Sequence, residues 1–332
     1  MALNFTWYTE SFRLAKEFKI SRGAKTHAHV LVLEVSSVGN VKLTGWAEAV
    51  PYARYNESIE SVVVQLEEAS QHISQLADQA NLTKLLPPGS ARNLLDCALW
   101  DFRAKLENKS VISLLGMKQP SAVLSAQTLS VDSIETMQSE AKLLSHLPLL
   151  KVKLDANDIV EKMKAIHAAC PNSDFIIDAN ESWNIKILNK VLPKLTQLNV
   201  KLIEQPLPAD NDAGLLDINS PIALCADESC HTAERLPELI GKYQAINIKL
   251  DKTGGLSEAL ALAKAAKDAK LQIMLGCMVA SSLAMAPIYL LSELADYVDL
   301  DGPVLVANDR ENGFIFEECR MSAPPNLLWG TG

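Results

Sequence analysis

Residues 149–178 read LLKVKLDANDIVEKMKAIHAACPNSDFIID, and the fold turns on how this stretch divides. Two short apolar runs, LLKVK ending at Lys153 and FIID ending at Asp178, flank a helical pattern over 158–169. A strand, a crossover helix and two loops occupy about this length. The rhythm continues on both sides. Apolar runs end at Thr128, Lys153, Asp178, Glu204, Asp227, Lys249, Cys277 and Asp301, with successive endpoints 22 to 28 residues apart. A second helical pattern over 256–269 fills a later gap. Eight such units predict an α/β protein built on a (β/α) barrel. A flat doubly wound sheet is the alternative, but no Gly-rich phosphate loop follows the first strand.

The first third follows another pattern. FRLAKEFKI (12–20), AHVLVLEV (28–35) and VKLTGWAEAV (41–50) read as strands, the last two joined by a turn at Gly39-Asn40. Helical patterns follow at 58–76 and 90–108. In the latter, Ser90 is the expected N-cap after Pro87-Pro88-Gly89, and Leu94, Leu95, Ala98, Leu99, Phe102 and Leu106 form one stripe. Residues 1–118 therefore read as a small α+β unit, 119–310 as the barrel and 311–332 as a tail.

The 332 residues are 48% hydrophobic and 21% charged, enough for a substantial core. A net charge of −9 argues against a nucleic-acid partner, which calls for a basic stripe. Six cysteines lie scattered without C-x-x-C spacing and read as reduced packing residues. The opening MALNFTWYTE has no secretory pattern, so a cytoplasmic protein is expected. The charge-free stretch 271–292 is long enough for a membrane span. Polar breaks at Gln272, Gly276, Ser281, Ser282 and Pro287 favour a buried strand and helix instead. A homo-oligomer is compatible with the sequence.

In a barrel of this kind the C-terminal strand ends build the active site. Asp178, Glu204 and Asp227 end three successive strands. Three converging carboxylates repel unless a cation lies between them; the competing reading is that each caps its own helix. Oxygen ligands suit a hard dication such as Mg²⁺, with Mn²⁺ an alternative. Lys151 and Lys153 alternate to one face of a strand, although a core normally excludes ammonium groups. Lys153 and Lys249 end strands two and six, which lie opposite each other in a ring of eight. Two opposed lysines can remove and return a proton on the two faces of one carbon, provided their pKa values fall toward neutrality. Lys151, staying cationic, would neutralise the enolate charge. Racemisation or epimerisation follows. Asp299 and Asp301 of DLDGP can hold an ammonium group, a solvated loop being the alternative. Arg22, in SRGAKT, is a candidate anion clamp. His27 and His29 are expected at the surface.

KVKLD, DANESW, EQPLP, ADESCH, INIKLDKTGG and DLDGP, in this order, resemble the muconate-lactonising subgroup of the enolase superfamily, over essentially the whole chain. DLDGP with the Arg22 loop is most similar to the dipeptide epimerases that act on L-Ala-D/L-Glu in murein peptide recycling. The resemblance implies an α+β capping domain, a modified (β/α)7β TIM barrel and a tail returning to the cap. It implies Mg²⁺ on Asp178, Glu204 and Asp227, supported by Asn180, with the substrate carboxylate completing the shell. It assigns Lys153 to the (R) centre and Lys249 to the (S) centre. Asp299 and Asp301 would hold the dipeptide ammonium, and Arg22 the glutamate side chain. Thr128, Lys151, Cys277 and Val279 would contact substrate, while Asp251 shares a face with Lys249 and its role stays open. Cycloisomerisation, o-succinylbenzoate synthesis and N-acylamino acid racemisation use the same acids and lysines. A non-catalytic ligand-binding barrel is the third reading.

Overall fold

The computed structural model describes residues 2–21, 23–38 and 43–331. It opens with an antiparallel sheet of β1 (Leu3–Ile20), β2 (Gly23–Ser37) and β3 (Thr44–Ala49). β1 starts well before the expected residue 12, because Leu3, Phe5 and Trp7 alternate with exposed polar residues along a half-buried ribbon. A register shift between Arg13 and Phe18 separates the ribbon's base from its tip. His27 and His29 are exposed, as expected. The turn read at Gly39-Asn40 lies outside the described residues.

The helix Ser90–Glu107 packs on this sheet and buries Leu94, Leu95, Ala98, Leu99 and Phe102, while Leu106 stays 39% exposed. Contact with β3 is close: a Cβ on Gly45 would lie 2.3 Å from the Phe102 amide nitrogen. The N-cap is Gly89, with φ 149°, rather than Ser90. Ser90 is the first helical residue, and its N–H and hydroxyl donate to Glu57 at 2.8 and 2.7 Å. Glu57 thus takes the capping role from outside the helix. The helix expected over 58–76 ends at Ser70 and is followed by the 3-10 turn Leu76–Asn81.

After β4 (Val123–Leu124) the chain enters an eight-stranded parallel sheet. Its members are β5 (Gln127–Leu129), β6 (Leu149–Lys153), β7 (Asp174–Asp178), β8 (Val200–Glu204), β9 (Ala223–Ala226), β10 (Ala245–Ile248), β11 (Gln272–Gly276) and β12 (Tyr297–Asp299). They neighbour one another in chain order. A Ser125–Val298 bridge and a 2.8 Å bond from Ala126 N–H to the Val298 carbonyl join the ends, giving a barrel. The run AVLSAQT is not one strand. Its β4 portion joins a separate sheet with β13 (Ile315–Glu317) and β14 (Arg320–Ser322), and only Gln127–Leu129 enters the barrel.

Helices Ile159–Ala169 and Leu256–Asp268 match the predicted crossovers. The links after β8 and β9 use 3-10 turns instead. The charge-free stretch becomes β11 and the buried helix Ser282–Tyr289, and no helix among the described residues is long and apolar enough to cross a membrane. All six cysteines are free. The chain's end lies on the N-terminal unit: Val111 N–H donates to the Gly330 carbonyl at 2.9 Å, and Gly330 N–H to Asp101 at 2.8 Å.

Candidate active site

Inside the barrel Leu149, Ile176, Leu202, Cys225, Ala245 and Met274 form a buried apolar layer. Two residues further along the first four of these segments stand Lys151, Asp178, Glu204 and Asp227. The register sets Lys153 beside Asp178 and Asp178 beside Glu204. Asp178, Glu204 and Asp227 are at most 1% exposed.

The buried carboxylates draw in ammonium groups. Lys151 Nζ lies 3.1 Å from Asp178 Oδ2, 2.6 Å from Glu204 Oε2 and 2.7 Å from Asp299 Oδ2. Lys153 Nζ reaches Asp178 Oδ2 at 2.5 Å, and Lys249 Nζ reaches Asp227 Oδ2 at 2.7 Å. The two lysines proposed as bases thus bracket the acidic arc from the second and sixth barrel strands.

Burial, then Asp178, push the Glu204 carboxyl up to about 8. Burial acts the same way on Asp178 and Asp227, but Lys153 and Lys151 on the first, and Lys249 and Lys252 on the second, hold both below the usual carboxylate range. Burial pulls the Lys249 ammonium down, yet Asp227 and Glu204 outweigh it and the net shift is upward. Lys151 is raised in the same way by Asp299, Glu204 and Asp178. The expected lowering is therefore not found at Lys249, because three nearby acids overcome desolvation.

On the same rim, past Lys151, Asp301 Oδ2 accepts the Thr128 N–H at 2.8 Å. Burial and Asp299 push Asp301 up to about 7. β12 ends at Asp299, so Asp301 does not continue the strand alternation; it is the N-cap residue of the short helix Gly302–Leu305, of which Gly302 and Pro303 are buried. Neither aspartate lies on a solvated loop: each is 4% exposed. Cys277 follows β11, half-buried, its thiol pushed well up by burial and then by Asp299 and Asp301. Val279 packs with Leu14, Ala28 and Val306, joining the ribbon to the barrel mouth. Asn180, with φ 44°, donates its N–H to Asp178 Oδ1 at 2.9 Å and accepts the Ser21 hydroxyl at its carbonyl. Arg22 lies outside the described residues.

Asp251 does not share a face with Lys249. The chain turns helical at Leu250–Thr253, and Asp251 Oδ1 accepts the Val50 N–H at 2.9 Å and the Asn93 amide at 3.2 Å. Both donors come from the N-terminal unit.

Three further residues escaped the sequence reading. Asn247 donates to Glu204 Oε1 at 2.6 Å; its alternation with Lys249 was the available signal. Lys252, fully buried, donates to the Asp227 carbonyl, Asp227 Oδ1 and the Asn247 carbonyl at 2.5, 2.6 and 3.0 Å. Gln205 Oε1 accepts the Asp227 N–H at 2.9 Å. No periodicity marks the last two.

Among the described residues, no three His, Cys, Asp or Glu side chains converge in a geometry that could hold a metal ion. Each carboxylate of the arc is turned toward an ammonium group instead. The donor set nonetheless fits a dication. Three buried carboxylates supply hard oxygens, and Lys151 Nζ already bridges Asp178 and Glu204 as a cation.

Residues 4–116 match the mandelate racemase/muconate lactonizing enzyme N-terminal domain, and residues 136–324 the enolase C-terminal domain-like family. An N-acetyl-D-glutamate racemase from Pseudoalteromonas sp is 48% identical over 88% of this chain and 93% of its own length. The L-Ala-D/L-Glu epimerase of Escherichia coli (strain K12) is 42% identical over 93% of this chain and 96% of its own. A crystal structure of an Agrobacterium tumefaciens enolase family member with homology to dipeptide epimerases holds sodium and L-Ala-L-Glu. It superposes with a TM-score of 0.92 at 40% identity, covering 99% of this chain and 100% of that one. The chain belongs to the mandelate racemase/muconate lactonizing enzyme family of the enolase superfamily, and it is an isomerase of the racemase and epimerase class.

Proposed function

We propose that this protein epimerises the glutamate α-carbon of L-Ala-L-Glu and L-Ala-D-Glu. The carrying observation is the arc Asp178–Glu204–Asp227, bracketed by Lys153 on one flank and Lys249 on the other. Magnesium held by the three carboxylates would supply positive charge beside the substrate carboxylate, acidifying the α-hydrogen and favouring neutral lysine at its flanks. One lysine, neutral, takes the α-hydrogen as a proton. The C–H electron pair passes toward the substrate carboxylate, where the Lys151 ammonium offsets the growing charge. The opposite lysine, protonated, gives its proton to the other face. One C–H bond breaks, one forms, and the configuration inverts. Asn180 and Asp251 hold the surrounding loops.

The other half of the dipeptide meets Asp299 and Asp301. Asp299 Oδ1 is buried without a hydrogen-bond partner among the described residues, an acceptor suited to a substrate ammonium. Thr128, Cys277 and Val279 would contact substrate at this end, and Arg22 would bind the glutamate side-chain carboxylate. Such a substrate places the reaction in murein peptide recycling, in the cytoplasm.

The Pseudoalteromonas racemase favours a second reading, N-acetylglutamate, which keeps the glutamate and lacks the ammonium. Incubation of L-Ala-L-Glu or N-acetyl-L-glutamate with enzyme and Mg²⁺ in deuterium oxide separates the two. We expect the α-proton signal of L-Ala-L-Glu to fade as L-Ala-D-Glu appears, with the larger kcat/KM. Faster turnover of N-acetyl-L-glutamate selects the second reading, and exchange in neither overturns both.

A further inference from the structure

Asp227 stands just beyond the end of β9. The ladder from β9 to β10 stops at Ala226, so no strand neighbour takes the Asp227 N–H. A buried N–H needs an acceptor. Gln205 supplies it from the next loop. Its Oε1 accepts the Asp227 N–H at 2.9 Å and the Ser229 N–H at 3.1 Å. Its Nε2 donates to the Leu207 carbonyl, the Ser229 hydroxyl and the Tyr243 hydroxyl at 2.8, 2.9 and 3.0 Å.

The backbone of Gln205 completes the connection. It follows Glu204 directly, its N–H donates to the Cys225 carbonyl at 2.8 Å, and its carbonyl accepts the Glu181 N–H at 2.9 Å. Glu181 lies three residues after Asp178. One residue therefore touches the segments bearing all three carboxylates. It is completely buried and holds φ 34°, a left-handed conformation that costs a non-glycine residue energy. The amide is braced from behind. Tyr243 and Ser229 hydroxyls donate to Asp212 Oδ2 at 2.9 and 2.8 Å, and Lys242 holds Asp212 Oδ1 at 2.7 Å. Such a network leaves the amide one orientation, with its oxygen toward Asp227.

We infer that Gln205 is a positioning residue that fixes the backbone of Asp227, and through its own backbone the Asp178 turn, relative to Glu204, so that the three carboxylates can close on a cation. The role rests on the carboxylate arc being a metal site, as proposed above, but the amide's hold on Asp227 is measurable without metal.

The test uses Gln205→Met, which keeps length and removes both polar atoms. The control is Met274→Ala, which opens a cavity in the apolar layer on β11, a strand that supplies none of the Gln205 partners. Two quantities are read: Mg²⁺ affinity by calorimetry, and amide hydrogen exchange of peptides spanning 226–231 without metal. We expect Gln205→Met to bind Mg²⁺ at least tenfold more weakly and to exchange those amides at least tenfold faster. Met274→Ala should lower Tm while leaving both readouts at wild-type values. Should Gln205→Met not fold, Tyr243→Phe removes one brace and is expected to weaken Mg²⁺ binding about threefold and speed the same exchange. Wild-type exchange in the folded variant overturns the positioning role. Accelerated exchange with no Mg²⁺ binding by wild type keeps it and removes the metal reading instead.

Discussion

Two layers of the same barrel, one step apart along the same strands, obey opposite rules. The lower layer, Leu149, Ile176, Leu202, Cys225, Ala245 and Met274, contains no charge. The upper layer holds Lys151, Asp178, Glu204 and Asp227 and is equally buried. The first is what packing alone selects. The second is costly unless every charge is paired, and the structure pairs these acids with Lys151, Lys153, Lys249 and Lys252. On the proposed mechanism, stability is concentrated in one layer and chemistry in the other. The same scaffold strands supply both, so substitutions in the two layers should separate rate from folding.

The sharpest separation is expected from Lys249→Met. Asp227 keeps Lys252 as a partner, at 2.6 Å, so the fold should survive with Tm near wild type. Losing an acid–base group costs about 10²- to 10⁴-fold in rate, and epimerisation should fall by about 10³ or more. Lys153→Met should do the same, because Asp178 keeps Lys151 at 3.1 Å. Circular dichroism and the deuterium assay measure the two halves of this statement. A folded Lys249→Met enzyme with wild-type turnover would remove the two-base scheme.

The reciprocal case is Ile176→Ala, two residues below Asp178. Removing these buried methyl and methylene groups costs about 2–5 kcal/mol of folding free energy. Urea midpoints should report that loss, while kcat per folded molecule changes less than about threefold. A rate loss as large as that of Lys249→Met would mean the layers are not separable.

This layering was legible where strands run regularly and lost where they stop. Alternation places Lys151 with Lys153, and it would have placed Asn247 with Lys249. It fails immediately past a strand end. Asp251 follows Lys249 by two residues, but the chain has already turned helical, on its way to Gly254 and Gly255 at φ 85° and 108°. Those glycines are required, since Cβ atoms there would meet Arg92 Nε at 2.2 Å and Asp96 Oδ2 at 2.6 Å. Asp301 departs from β12 for the same reason. Gln205 was invisible because its partners, Asp227, Ser229 and Tyr243, come from other segments. Local periodicity carries information about faces and none about such meetings.

Asp251 provides the smallest and most specific test of the boundary between the two layers. It is a buried acid that binds the N-terminal unit rather than the acidic arc. Burial, with Glu57 and Glu48 adding to it, pushes its carboxyl from 3.8 up to about 7. The folded protein thus retains a proton that the unfolded chain has lost between pH 4 and 7. Stability contributed by this group is present at the acid end and falls as pH rises through that window. Asp251→Asn carries no charge and keeps an oxygen for the Val50 N–H. Relative to wild type, the variant should gain at least about 1 kcal/mol between pH 4.5 and 7.5, since each pH unit is worth about 1.4 kcal/mol. Above pH 7.5 the difference should be flat. Urea unfolding of both proteins at these pH values measures it. Parallel curves would mean that Asp251 ionises freely, and the buried contact with the N-terminal unit would then be more open to water than the 2.9 Å bond to Val50 implies.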